Sequence, residues 1–208
     1  ITPVGDLASD FLKQLAKVLD QQKDPLARFN YYSIWMWHII MLLTSCRPVD
    51  HMPGMLNQID HRARFIWLSD KEIRATSSSG RFIPMCDYLN VAIQDYRDYL
   101  DRFSRKYGVI DIQTDSVLQG IKCSKLPLLY LKHEDEWVPI SPKLVLNYIK
   151  DLFPYPLNWT RHFGRYYLAD KLPVYLIDAI FAHEAPAHET LNQHSSVSLL
   201  EIKSTAQA

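Results

Sequence analysis

Three cationic side chains stand where elements should begin or end: Arg47 just after the apolar run "FNYYSIWMWHIIMLLTSC", Arg161 in "NWTRHF", and His183 in "IFAHE". A guanidinium is a planar fork that matches phosphate oxygens. Two of them on rigid helix ends, with an imidazole beside them, could clamp one phosphate and stabilise a pentacoordinate transition state. Each group also has an ordinary use. Arg47 and Arg161 can cap helix ends or pair with Asp50 and Asp170, and a histidine such as His183 or His38 can be a satisfied, partly buried side chain. Other chemistries have less support. His183 and His188 in "HEAPAHE" are five positions apart and would diverge by about 140° on a helix, which does not suit zinc, and Pro186 interrupts the segment. GxSxG, GxGxxG and GxxxxGK are all absent, so neither a serine nucleophile elbow nor a nucleotide loop is indicated. No metal and no cofactor is expected.

The elements that must hold these residues follow from periodicity. Leu7, Phe11, Leu15 and Val18 recur at helical steps, and Pro25 is placed as a first-turn proline for a second helix running to about Thr44. The run Phe29 to Cys46 carries no charge. It has the length of a membrane span, but Asn30, Ser33, His38, Thr44 and Ser45 dilute it and favour a buried core helix. "IDHRARFIWLSDKEIRATSSSGRFIPM" reads as two or three short strands with a Ser-rich break at 77 to 80. Asp87 to Lys106 keeps helical spacing, with Gly108 as a stop. The stretch from Gly108 to Leu126 is irregular; "PLLYLK" and "EWVPIS" then resemble a hairpin around "HEDE", and Ser141 and Pro142 open a helix through Phe153. Helices are expected from Trp159 to about Lys171 and from Val174 to about Phe181. The tail from Ala185 is weakly patterned, though "SVSLLEI" could dock on the core or on a neighbour. The expected fold class is α+β, mainly α: a helical bundle with a small antiparallel sheet.

In this order the motifs resemble the catalytic domain of the tyrosine recombinase, or phage integrase, family. "LLTSCRPVD" is similar to the box with the first catalytic arginine, Arg47 taking the Arg position, Asp50 the acidic one, and Ser45 standing where Gly is usual. "NWTRHF" is similar to His-x-x-Arg-His, with Arg161 and His162 matching and Asn158 replacing the leading His. "IFAHE" resembles Leu-Gly-His, with His183 in place and Ala182 for Gly. The sheet segment ending in "RFIPM" looks like the one that carries the family's catalytic lysine, where Lys71 fits best and Arg74 is the fallback. The likeness spans about residues 5 to 200. It implies a catalytic domain over 1–184 with a tail over 185–208, Arg47 and Arg161 as phosphate clamps, Lys71 as general acid, and Asn158 and His183 as hydrogen-bonding supports. It further implies double-stranded DNA as ligand, and a homo-oligomer or a partner recombinase assembled on it.

The departure is the nucleophile. No tyrosine follows Tyr175, and the position eleven past His183 is His194. Three readings stay open: strand cleavage has been lost, His194 attacks through a phosphohistidine link, or the tail aligns differently. A non-catalytic scaffold or regulatory module with the same fold is the alternative. It is favoured by the balance of 23 Lys plus Arg against 23 Asp plus Glu, which gives no global attraction to nucleic acid. Three cysteines, far apart and without CxxC spacing, fit a reducing, cytoplasmic setting. The absence of an initiator Met fits a segment beginning partway through a longer protein, with an amino-terminal DNA-clamping domain outside it.

Overall fold

The uncharged run sets the architecture. In the computed structural model, which describes residues 4–69, 80–153 and 155–181, it forms helix α2 (Pro25–Thr44), with twelve buried residues. Asp24 caps it, its carboxylate accepting from the Ala27 amide at 2.7 Å, and Pro25 occupies the first turn. Both features suit a start at which backbone N–H groups have no helical partner. Ser45, at φ 50°, ends the helix in the left-handed conformation. Being apolar all round, α2 can be stable in water only if other elements surround it.

They do. Helix α1 (Val4–Gln21) lays Ala8, Phe11 and Leu15 against it, and α3 (Asp87–Phe103) contributes Leu89, Ala92, Ile93, Tyr96, Leu100 and Phe103. Buried polar groups on α2 find partners across these contacts: Ser33 Oγ and Tyr96 Oη are 2.8 Å apart. His38 is half satisfied. Its Nδ1 lies 2.8 Å from the Ile34 carbonyl, so Nδ1 carries the proton, while Nε2 is buried without a partner among the described residues. Among the described residues no helix is long and apolar enough to cross a membrane.

Two small antiparallel sheets complete the domain. Strands β1 (Ile59–Asp60), β2 (Phe65–Leu68) and β3 (Arg81–Pro84) lie in chain order, with Ile66 opposite Ile83 and Leu68 opposite Arg81. Strands β4 (Tyr130–His133) and β5 (Glu136–Pro139) form the hairpin around the acidic turn. It is pinned to α2 by Asn30, whose Nδ2 donates to the Lys132 carbonyl and whose Oδ1 accepts from the Lys132 amide, both at 2.8 Å. The side-chain amide thus takes the place of a neighbouring strand's backbone.

Three boundaries differ from expectation. Helix α3 passes into a π-helical turn, Ser104–Gly108, so the helical run ends on Gly108 itself, which is the last residue of the turn and not the position just beyond the helix. The segment read as irregular holds α4 (Ile112–Lys122), whose Thr114, Leu118 and Ile121 face inward. Helix α5 (Pro142–Ile149) begins as expected, with Ser141 Oγ accepting from the Leu144 amide at 3.3 Å, but it stops at Ile149. Leu152 and Phe153 then fold back through bonds from their amides to the Ile149 carbonyl. Helices α6 (Trp159–Ala169) and α7 (Val174–Phe181) close the described chain.

Candidate functional site

Four elements end within reach of two arginines. Arg161, in the first turn of α6, turns into the protein, keeping only 9% of its surface exposed. Its Nη1 donates to the Ser45 carbonyl at 2.8 Å, its Nη2 to the Phe181 carbonyl, and its guanidinium carbon lies 4.9 Å from the Phe181 ring centroid. Arg81, at the start of β3 and 3% exposed, sends Nε to the Ile180 carbonyl at 2.9 Å. The C-terminal carbonyls of α7 carry the negative end of the helix dipole, and charged donors satisfy them better than neutral ones would. Arg165, one turn along α6, pairs with Asp178 at 3.1 Å and lies 5.9 Å from the same ring.

Close approach of α6 to the end of α2 depends on Gly164. A Cβ there would overlap Ser45 Oγ and reach 3.4 Å from Phe181 Cζ. Burying a guanidinium costs several kcal/mol, and here charge-assisted bonds to carbonyls, roughly 1.5–3 kcal/mol each, offset it. Arg161 is therefore a brace joining α2, α6 and α7.

Among the described residues this junction joins the Arg161 motif to Ser45, in the Arg47 motif, and to Phe181, at the end of α7. Arg47 follows Ser45 by two positions and is half-buried, its carbonyl accepting from the Val49 amide at 2.9 Å as the chain reverses after α2. Asp50 is exposed. His183 follows Phe181 by two positions but lies outside the described residues, as do His188 and His194. Lys71 and Arg74 belong to the connection between β2 and β3, again outside the described residues; that connection leads into Arg81. Asn158 is not drawn into the junction. It sits exposed at the N-cap of α6, with no side-chain cap bond, its Nδ2 3.4 Å from Nε2 of exposed His162. Arg161 pairs with main-chain carbonyls, and not with Asp170, in the bonds that define it.

Sequence reasoning gave no role to Arg81 or Arg165. A signal for Arg81 was present: it shares the alternation of β3 with Ile83, an inward position, and a charge on an inward strand position needs a partner. Among the described residues no group of three or more His, Cys, Asp or Glu could hold a metal ion. Chemically, the arrangement is a cluster of guanidinium groups that hold main-chain carbonyls of α7 and of the turn after α2 and one carboxylate, Asp178.

No family model matches the sequence, and no curated protein matches it.

Proposed function

We propose that this is a DNA-binding domain of the tyrosine-recombinase type, degenerate in strand cleavage. The single observation that supports it is the junction. Arg161 holds the backbone just before Arg47 and just before His183, and Arg81 ties in the strand that follows the Lys71 segment. Three motifs distant in the chain, each weak alone, thereby meet at one place. In this reading Arg47 faces a DNA phosphate and Arg161 positions it through Ser45. By the resemblance, Lys71 takes the position of the general acid, Asn158 and His183 those of hydrogen-bonding supports, and His194 the nucleophile slot, although Asn158 itself lies exposed outside the junction.

The experiment uses a nicked suicide duplex built from sequences selected for binding out of a random duplex pool. Wild type should bind but form no covalent adduct, whereas His194→Tyr should form one if the pocket is preserved. An adduct from neither protein, with folding intact, transfers support to the second reading, a scaffold that has kept the fold. One observation favours that reading. Among the described residues the Arg161 guanidinium donates to two main-chain carbonyls, and such a group braces structure whether or not DNA is present.

A further inference from the structure

Helix α7 is eight residues long, too short to persist by its own backbone bonds, since isolated helices below roughly 12–15 residues are marginal in water. Its neighbours hold it. Leu176, Ile177 and Phe181 are buried, and the two carbonyls at its end accept from guanidinium groups of different parts of the fold, Phe181 from Arg161 of α6 and Ile180 from Arg81 of β3 at 2.9 Å. The second bond ties α7 to the three-stranded sheet.

Arg81 stands at the open end of that sheet. It is the cross-strand partner of Leu68, the last residue of β2, so this pair closes the base of the connection between β2 and β3. The start of the strand is closely packed as well. A Cβ at Gly80 would overlap the Trp67 ring, whose centroid lies 4.7 Å from that of Phe82. Parting α7 from the sheet is unfavourable for both partners: Arg81 would lose an acceptor for a buried charge, and Ile180 a charged donor for a helix-terminal carbonyl. Opening of either element therefore loosens the other, and by linkage the effect runs equally in both directions.

We infer that Arg81 is a positioning residue that couples the open end of the β2–β3 pair to the end of α7. The chain leaves the first toward Lys71, three positions past Leu68, and the second toward His183, two past Phe181. The use of this coupling, keeping those two segments in step at a phosphate, rests on the function proposed above; the coupling itself does not.

Native-state hydrogen exchange on the whole chain tests it without DNA. Asp178→Ala removes the partner of Arg165 on α6 and loosens α7 from that side. It should speed exchange in α7 by about tenfold, and with Arg81 in place the amides of β2 and β3 should follow. In an Arg81→Met background, which keeps the length and loses the donor, Asp178→Ala should still speed α7 but leave β2 and β3 as they were. Arg81→Lys keeps a charged donor and should transmit the effect again. Sheet amides unmoved by Asp178→Ala in the wild-type background would overturn the inference. So would equal acceleration with Arg81 and with Arg81→Met, or an α3 that accelerates as much as the sheet, the mark of global unfolding. Should Arg81→Met not fold, the response of the sheet in the wild-type background decides alone. A negative result here leaves the adduct experiment standing, and the lack of an adduct leaves this result standing.

Discussion

Two buried cationic or titratable side chains, His38 and Arg161, use their polarity in opposite ways. His38 lies wholly in the core between Phe11 and Trp37, and burial pushes its imidazole down to about 4, against the opposing pull of the Ile34 carbonyl. Above the ordinary histidine value of about 6.5 neither folded nor unfolded chain holds the extra proton, and His38 contributes no pH dependence. Below it the unfolded chain binds a proton that the folded chain refuses. Stability then falls by up to about 1.4 kcal/mol per pH unit until the folded value is reached. Urea midpoints measured above and within that window should therefore drop more steeply for wild type than for His38→Leu; parallel slopes would rule His38 out as the cause. Arg161 keeps its charge and spends it on carbonyls. Its place in the "NWTRHF" motif was legible in sequence. Its use was not, because the choice between a phosphate and a main-chain oxygen depends on how closely α6 approaches the ends of α2 and α7.

That approach is decided at the level of elements. Gly164→Ala should destabilise the domain by about 1–3 kcal/mol, the usual cost of overpacking, because the added methyl meets Ser45 Oγ inside a buried contact. Ser45 sits at φ 50°, where glycine is at ease, so Ser45→Gly removes the obstructing hydroxyl without backbone strain. The double variant should regain most of the loss, since alanine is also the better helix former. Thermal unfolding of the four proteins measures the coupling, and additive losses would mean that the two residues do not meet. Helix α2 was legible because Asp24 and Pro25 announce its start and an unbroken apolar run fills it. Helix α4 was hidden for a physical reason. Its first turn and the preceding loop expose Val109, Ile110 and Ile112, which scatter the apolar pattern, and the inward residues include a threonine, Thr114.

For the whole molecule, the expectation of a mainly helical α+β domain with a small antiparallel sheet is met, and the β4–β5 hairpin forms a separate second sheet. With no net charge, binding to duplex DNA under the proposed function must come from a few local cations. Arg47→Ala should then weaken duplex binding and reduce the magnitude of its log–log salt slope by about one. Arg161→Ala should instead lower stability by about 1–3 kcal/mol for each buried carbonyl left without its donor. A salt slope unchanged by Arg47→Ala would remove Arg47 from the interface. A two-stranded ribbon has an additional hazard, because the outer side of each strand can recruit another chain and seed fibres. Midway along β4, at Lys132, that side is already occupied by Asn30. One amide in the second turn of a hydrophobic helix therefore also shields the protein against ordered aggregation through this strand.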